Sequence, residues 1–230
     1  MIGLWWAGLA LGGVVSDGAA ALEEGHLDEA IEIWSAARGG RLRASGIIEY
    51  NLGTAWYRKG DWPRAIAHLR AAARLRPRDG AIHHNLALAR AELGAVPPPA
   101  ALPAAWMAVL TPGELGVLGL LLTSLGSVVL VGGRLAGRGR APGLGLLAVG
   151  LVVGGISSWG GAQLAWHPIG VIVDGEAILR DAASVNAGER LRLKPGTEVR
   201  IERSYGGFLL VIDGRDRRGW LTESAAAVAW

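Results

Sequence analysis

The chain has no cysteine, and it has no strong excess of charge of either sign. Without cysteine there are no disulfides, no thiolate metal sites and no cysteine nucleophile. Residues 16–95 carry eleven basic against ten acidic side chains, and residues 167–230 carry nine against nine. The net charge of +3 therefore comes from the segment between them, where Arg134, Arg138 and Arg140 outnumber Glu114. This distribution excludes the basic groove of a nucleic-acid-binding protein.

Catalytic and metal-binding patterns are missing as well. No i, i+4 pair and no glutamate at ligand spacing occurs among the five histidines, which are His26, His68, His83, His84 and His167. No serine lies in a Gly-x-Ser-x-Gly context, and no glycine-rich stretch ends in Gly-Lys-Ser/Thr. The sequence therefore predicts a protein that is not an enzyme and that holds no metal or other cofactor.

A repeat of about 34 residues organises the first part of the chain. Six positions from Gly25 to Ala37 recur 35 residues later from Gly60 to Ala72, and Asn51-Leu52-Gly53 recurs 34 residues later as Asn85-Leu86-Ala87. This is the length of a tetratricopeptide unit, a helix pair that buries its apolar face only by stacking on its neighbours. Residues 16–95 are therefore predicted to form helical repeats with a concave surface for a protein or peptide partner.

Five helices follow from this pattern. They are predicted over residues 16–24, 27–38, 47–59, 62–75 and 81–93, and Pro97-Pro98-Pro99 ends the series. The last helix has no second helix to pair with, so one side of it stays open. A partner, a second copy of the chain or the bilayer surface is expected to cover that side.

Candidate partner-binding residues lie on the first helices of the repeats. Asn51 and Asn85 share one repeat position, at which peptide-binding tetratricopeptide proteins place an asparagine against the ligand backbone. Ile47 and Ala81 stand where a carboxylate clamp has lysine, which favours general peptide binding over the capture of a terminal carboxylate. Alternatively, the same residues only pack or solvate the repeats. The predicted site comprises Asn51, Thr54, Tyr57, Arg58 and Asn85, with Tyr50 on the same helical stripe.

Two long apolar runs follow a Pro/Ala linker over residues 96–110. Leu115 to Gly133 is nineteen residues and Gly143 to Trp166 is twenty-four residues without a charge, and about 20 apolar residues cross a bilayer. Transmembrane helices are therefore predicted over residues 111–133 and 143–166. Thr111 is placed to cap the first one, and Gly150-x-x-x-Gly154 with Thr123 and Ser127 would let the two helices approach closely.

The segment between the two runs predicts their orientation. Residues 134–142 contain Arg134, Arg138 and Arg140, and a short loop of this kind stays cytoplasmic under the positive-inside rule. Both flanking parts of the chain then lie outside the cytoplasm. Residues 1–15 are apolar enough for a signal peptide or an N-terminal anchor, or they form the start of the first repeat helix.

The pattern becomes strand-like after Pro168. Short alternating or β-branched segments are bounded by Asp-Gly, Pro-Gly and Gly-Gly turns, at residues 170–173, 177–180, 190–193, 197–203, 208–212 and 219–221. Six short strands in so few residues predict a small all-β barrel over residues 168–230. Trp220 is expected in its core, because a small barrel has few large residues with which to exclude water.

Several motifs in this region resemble a bacterial SH3 domain. They are Ile178-Leu179-Arg180, Lys194 to Val199, Gly206-Gly207-Phe208 and Gly219-Trp220-Leu221. Phe208 stands where that domain usually has tryptophan. The resemblance implies an SH3-like fold for residues 168–230.

Taken together, these parts resemble the BatE family of the bacterial aerotolerance operon. The stretches that match its repeats are Leu27 to Trp34, Glu49 to Tyr57 and His83 to Ala89. The resemblance implies a multi-pass protein of the bacterial inner membrane, with the repeat and SH3-like domains in the periplasm. It also implies von Willebrand A-type membrane proteins and a MoxR-type ATPase as partners.

The sequence thus predicts a multidomain, non-enzymatic scaffold that is anchored in the lipid bilayer and binds protein or peptide partners outside the cytoplasm. The alternative is a cell-wall binding protein, in which the SH3-like domain holds peptidoglycan peptides and the repeats recruit an enzyme. A cytochrome-maturation chaperone fits less well, because such proteins usually carry longer repeat arrays.

Overall fold

The computed structural model describes residues 3–39, 45–98, 112–137, 141–166 and 168–229. The chain divides into two compact units, one of which combines residues 1–99 with residues 168–230, while the other consists of residues 100–167. Helical repeats and an antiparallel all-β sheet make up the first unit, and two long apolar helices make up the second. This is the fold class that the sequence predicts.

Five helices build the repeat region. They are α1 (Gly3–Glu23), α2 (Leu27–Gly39), α3 (Gly46–Lys59), α4 (Trp62–Leu75) and α5 (Gly80–Leu93). The predicted bounds of the last four helices are confirmed to within one residue. Helix α1 begins well before the predicted start at Ser16, because the sequence between Gly3 and Ser16 contains no proline to stop a helix.

Helix ends recur with the repeat. Ser45 caps α3 by accepting the Ile48 N–H at 3.4 Å, and 34 residues later Asp79 caps α5 by accepting the Ala81 N–H at 3.0 Å. Gly60 and Gly94 end α3 and α5 in the left-handed conformation, with φ of 83° and 58°, which glycine adopts at little cost. The sequence period therefore repeats the ends of the helices as well as their apolar residues.

Small residues let the repeat helices pack closely. The Trp34 side chain is fully buried in a cluster with residues of α1 and α3. A Cβ added to Gly18 would lie 2.4 Å from the Trp34 ring, and one added to Gly53 would lie 2.6 Å from Leu69 Cγ. The repeat core therefore depends on glycine at these two helix crossings.

Seven strands form one antiparallel sheet. They are β1 (Ile169–Ile172), β2 (Ala177–Arg180), β3 (Glu189–Leu193), β4 (Glu198–Tyr205), β5 (Phe208–Asp213), β6 (Arg218–Thr222) and β7 (Ala226–Ala229), and the order across the sheet is β3-β2-β6-β5-β4-β1-β7. The first six correspond to the predicted strands. The sequence did not predict β7, because alanine has low strand propensity and the strand forms by pairing with β1.

One apolar core lies against this sheet. Leu193 of edge strand β3 and Ile172 of β1 belong to the same buried cluster, so the sheet curls on itself. The prediction that Trp220 lies in this core is wrong. Leu221 is fully buried there instead, and Trp220 is only half-buried because successive residues of a strand point to opposite faces.

The β sheet packs against α4 and the adjoining side of α5. Val171 of β1 is fully buried in one cluster with Ile66, Leu69 and Leu86 of the repeat helices. A Cβ added to Gly196, in the turn before β4, would lie 2.2 Å from Leu93 Cδ1. The far side of α5 remains open, with Leu88 40% exposed there, so the expectation that a partner, a second copy or the bilayer covers it stays a prediction.

The second unit contains two antiparallel helices, α6 (Pro112–Leu135) and α7 (Ala141–Trp166). Glycines seven residues apart form their contact, namely Gly119 and Gly126 on α6 and Gly143 and Gly150 on α7. An added Cβ would lie 2.7 Å from Leu147 N at Gly126 and 2.7 Å from Thr123 N at Gly150. The predicted close approach is confirmed at Gly150 and Thr123, and at Gly154, whose N lies 2.8 Å from a Cβ added to Gly119. Ser127 instead donates to the Thr123 carbonyl oxygen of its own helix, and the contribution of Gly119, Gly126 and Gly143 was not predicted.

The outward surfaces of this helix pair are apolar. Leu120 and Val128 of α6 are 70% and 68% exposed, and Leu151 of α7 is 68% exposed. Both helices are long and apolar enough to cross a membrane, by length and composition. Thr111, the predicted cap of α6, lies outside the described residues.

Candidate partner-binding site

The first helices of the three repeats, α1, α3 and α5, lie side by side. We call the surface that they form the first-helix face. Its partly exposed residues include Asn51, Thr54 and Tyr57 of α3 and Asn85 of α5. Leu88, also on α5, is 40% exposed and adds apolar area to this face. The structure therefore brings the predicted asparagines to adjacent helices, as their shared repeat position requires.

Asn85 and Thr54 hold the two helices together. Asn85 Nδ2 donates to Tyr50 Oη at 3.1 Å and approaches Thr54 Oγ1 at 3.5 Å. Thr54 Oγ1 in turn donates to the Tyr50 carbonyl oxygen at 2.9 Å. A ligand that takes a hydrogen bond from the Asn85 amide thus competes with a contact that already exists between α3 and α5.

Tyr57 and Arg58 are also engaged within the repeats. Tyr57 Oη donates to Glu92 Oε1 at 3.4 Å, close to the upper limit for a hydrogen bond. Arg58 Nη1 donates to the Leu22 carbonyl oxygen at 3.2 Å, at the C-terminal end of α1. Arg58 therefore stabilises a helix end, and a carboxylate ligand would have to compete with that carbonyl.

Asn51 is the predicted site residue with the greatest freedom to bind. Its side chain is half-buried, and it makes no side-chain hydrogen bond to any of the residues that the structure describes. An asparagine amide offers two donors and an acceptor, which is the set that pairs with an extended peptide backbone.

A buried carboxylate ties the repeat helices together behind this face. Glu49 of α3 is 4% exposed, and its carboxylate accepts from Arg38 Nε at 2.6 Å and lies 2.8 Å from His68 Nδ1. Burial alone raises the pKa of the Glu49 carboxyl, but the hydrogen bonds and charges of His68 and Arg38 outweigh it and lower the pKa below its usual value. The carboxylate therefore stays ionised and links α2, α3 and α4.

A second buried carboxylate joins the repeats to the sheet. Glu198 of β4 is fully buried, and Arg90 of α5 reaches its two oxygens with Nε at 2.6 Å and Nη2 at 2.9 Å. Arg70 of α4 places Nε 2.7 Å from Glu198 Oε2. Burial lowers the pKa of the Arg70 guanidinium, and the nearby Glu198 charge opposes that change. We call these three residues the Glu198 clasp.

The Glu198 clasp was not predicted from the sequence. Glu198 directly precedes the buried Val199, at a position where strand alternation favours an exposed charge. Its two partners are more than a hundred residues away in the chain. A signal was present only in the requirement that a buried charge be paired, and that requirement does not identify the partner.

The arginines predicted to set the membrane orientation are only partly described. Arg134 lies exposed in the last turn of α6, while Arg138 and Arg140 lie outside the described residues. Among the residues that are described, no group of three His, Asp or Glu side chains is placed to hold a metal ion. The side chains of the first-helix face offer hydrogen bonds, through Asn51 and Asn85, and apolar contact, through Leu88.

Comparison with known proteins identifies the repeats. A family model described as a tetratricopeptide repeat matches residues 18–80 and, overlapping with them, residues 50–97. The matched segment runs from the middle of α1 past the end of α5. No curated protein matches the chain. Helical repeats of this kind provide surfaces for protein–protein interaction.

Proposed function

We propose that this protein is a membrane-anchored adaptor that binds an extended peptide segment of a partner on its first-helix face. The observation that carries the proposal is the contrast between the two sides of α5. The sheet closes one side through Val171 and Glu198, whereas Asn51, Asn85 and Leu88 remain partly exposed on the side of the first helices. A tetratricopeptide region with one closed side and one open side is suited to hold one partner.

The apolar surface of the α6–α7 pair supports the anchoring. Side chains such as Leu120, Leu121 and Val128 are more than 60% exposed. Exposure of such side chains to water costs roughly 25 cal/mol of free energy per Å² of apolar area. A bilayer removes that cost. The arginines Arg134, Arg138 and Arg140 support an orientation in which the loop is cytoplasmic and the other parts of the chain are not.

The resemblance to the BatE family extends the proposal to specific partners. On that basis the adaptor works in the bacterial inner membrane beside von Willebrand A-type membrane proteins and a MoxR-type ATPase, with the sheet as an SH3-like module. What supports the SH3-like assignment is a small curled antiparallel sheet whose first and last strands pair.

Substitution of the two asparagines tests the binding site. Each lost hydrogen bond is worth about 0.5–1.5 kcal/mol, so Asn51→Ala with Asn85→Ala is expected to weaken binding about five- to a hundredfold. Photo-crosslinking in membranes at equal abundance measures the loss. Asn51→Ala alone reports on the ligand most directly, because Asn85 also contacts Tyr50.

Asn186→Ala is the matched control, because it removes the same amide from an exposed position between β2 and β3. An unchanged crosslinking profile in the Asn51→Ala variant, equal to that of the control, would remove the first-helix face from the proposal. Circular dichroism distinguishes lost binding from lost folding, since a drop in helicity would assign both asparagines a structural role.

Single cysteines in this cysteine-free chain test the orientation. Cysteines at Ala81 and Val185, which are exposed on the repeats and on the sheet, are expected to react with an impermeant maleimide in intact spheroplasts. A cysteine at Ala136, just beyond the end of α6, is expected to react only after lysis. The opposite result would invert the proposed orientation.

A further inference from the structure

The side chains of the first-helix face fall into three rows that cross α1, α3 and α5. The offset between α3 and α5 is 34 residues, and the offset between α1 and α3 is 35, as the matching crossings of Gly18 with Trp34 and of Gly53 with Leu69 show. We name the rows by their chemistry. The polar row is Ser16, Asn51 and Asn85, the middle row is Ala19, Thr54 and Leu88, and the charged row is Glu23, Arg58 and Glu92.

Hydrogen bonds place the charged row where the three helices end together. Arg58 Nη1 donates to the Leu22 carbonyl oxygen at the end of α1, and Tyr57 Oη donates to Glu92 Oε1 in the last turn of α5. Glu23 is the last residue of α1. The row therefore consists of the C-terminal turns of α1, α3 and α5, and the carbonyl groups of such turns carry partial negative charge.

Two glutamates of this row lie where their own helices disfavour them. A carboxylate in the last turn of a helix is repelled by the partial negative charge of that end. Glu23 and Glu92 both occupy such a position, and both are exposed. Neither glutamate stabilises its own helix end, whereas negative charge at an open site favours a cationic ligand.

The basic side chains nearest to Glu92 in sequence are bonded to other partners. Arg58 donates to the Leu22 carbonyl oxygen, so its charge lies toward α1, and Arg90 is bonded to Glu198. Glu92 accepts from the neutral Tyr57 hydroxyl at 3.4 Å, a contact that does not neutralise the carboxylate. The α5 end of the charged row thus presents negative charge, although Arg58 was predicted as the charged residue of this site.

The other two rows supply the rest of a peptide-binding surface. Asn85, Leu88 and Glu92 are at i, i+3 and i+7 on α5, and hence on one stripe of that helix. Asn85 and Glu92 are about 10 Å apart along the helix axis, which is the length of about three residues of extended chain. Leu88, which is 40% exposed, lies between them. A segment of a few residues can therefore contact all three rows at once.

We propose that the first-helix face selects extended segments that carry an apolar side chain and, within a few residues, a lysine or an arginine. The apolar side chain packs on Leu88, and the basic side chain pairs with Glu92 at the helix ends. This inference rests on the proposed peptide binding and adds the class of partner sequence to it. Glu92 is the residue that determines the charge specificity.

Peptide titrations against the full chain in phosphatidylcholine nanodiscs test this selectivity. Neutral lipid keeps a basic peptide from binding the bilayer electrostatically, and empty nanodiscs measure any binding that remains. Three blocked peptides of alanine and glycine differ at one position, which holds lysine, glutamine or glutamate. All three carry a leucine two positions away, since Leu88 and Glu92 are about 6 Å apart along α5.

The lysine peptide is expected to bind about two- to fivefold more tightly than the glutamine peptide, as one exposed ion pair allows. The glutamate peptide is expected to bind more weakly than either. Leu88→Ala is expected to weaken all three peptides by the same factor, because it removes apolar contact and no charge.

Glu92→Gln is expected to abolish the preference for the lysine peptide over the glutamine peptide, because no carboxylate remains on α5. Glu32→Gln is the matched control. It removes the same charge from an exposed position on α2, which is the second helix of its repeat, and it is expected to leave the preference unchanged. Equal loss of the preference in both variants would overturn the inference, because the preference would then reflect the net charge of the protein.

The outcomes also separate this inference from the proposed function. If the wild type binds the lysine and glutamine peptides equally and Asn51→Ala weakens both, the inference is wrong and the proposed function stands. A preference for the glutamate peptide would likewise overturn the inference alone and would assign the selection to Arg58. If no peptide binds and photo-crosslinking in membranes detects no partner on the first-helix face, the inference and the proposed function fail together.

Discussion

The two compact units of this protein use charge and glycine in opposite ways. The repeat–sheet unit buries three carboxylates, Glu49, Glu198 and Asp213, and keeps most of its large apolar side chains inside. The α6–α7 pair has one acidic residue, Glu114, in its described helices, and it exposes large apolar residues such as Leu120. Where its two helices cross, glycines of one helix lie against the main chain and side chains such as Leu130 and Thr123 of the other.

The proposed membrane anchoring of the α6–α7 pair accounts for this contrast. In water, burial of apolar area drives the packing, and a few fully paired buried charges specify which elements meet. In a bilayer the lipid is as apolar as leucine, so close van der Waals contact between small residues has to hold the helices together. The same chain therefore relies on large buried residues in one unit and on the absence of side chains in the other.

Removal of the Glu198 carboxylate is expected to lower the stability of the protein more than the other two changes below. Glu198→Ala leaves Arg70 and Arg90 facing a buried gap, and loss of one partner of a buried ion pair costs about 3–5 kcal/mol. Thermal unfolding of the full chain in detergent, followed by circular dichroism, measures the effect. Glu189→Ala, which removes a half-exposed carboxylate beside Arg192, is the control and is expected to cost less than about 1 kcal/mol.

If Glu198→Ala shifted the unfolding temperature no more than Glu189→Ala, the Glu198 clasp would not hold the repeats and the sheet together. Paired buried charge would then not be what joins the elements of the repeat–sheet unit.

Enlargement of a glycine at the contact of the two apolar helices is expected to have the second-largest effect on stability. Gly150→Leu forces a side chain into the space beside Thr123 N, and overpacking of this kind typically costs 1–3 kcal/mol. Gly145→Leu is the control on the same helix, because no atom lies within 4 Å of an added Cβ there. Spin-label distances between Leu120→Cys and Val152→Cys are expected to lengthen or broaden only in the first variant.

Lowering the pH is expected to have the smallest of the three effects on stability. It is expected to destabilise the repeat–sheet unit. The folded-state pKa of Glu49 is lowered. Its contribution to the free energy of unfolding is therefore fully present above the unfolded pKa of about 4.3. That contribution is lost as the pH falls through the lower folded value. The Asp213 pKa is lowered as well, since the Arg217 side chain and two backbone N–H groups outweigh its burial, so its contribution changes in the same direction.

Urea midpoints at pH 6 and pH 3 check this expectation. In Glu49→Gln the loss of stability between these pH values is expected to be smaller than in the wild type, whereas Glu32→Gln, at an exposed position of α2, is expected to leave it unchanged. A wild-type repeat–sheet unit that kept its full stability at pH 3 would contradict the assignment of Glu49 as a paired buried carboxylate.

Most of the candidate site was predictable from the repeat, because position in a helical repeat fixes the side of the helix. Asn51 and Asn85 were predicted to occupy corresponding places, and they do. The contact of Asn85 with Tyr50 and the contact of Arg58 with the end of α1 were not predictable from the sequence. Those contacts depend on how far neighbouring helices are apart, which the period does not specify.

The sequence by itself determined the local elements: the ends of α2 to α5, the two apolar helices, and six strands. Capping residues, periodic apolar side chains and long uncharged runs act over a few residues, so their effect can be read from the chain. Only the tertiary structure decided that strand β1 packs against α4 and α5, that Glu198 joins Arg70 and Arg90, and that Leu221 takes the core position expected for Trp220. Each of these depends on segments that are distant in sequence, and packing selects among them by shape and by the need to pair a buried charge.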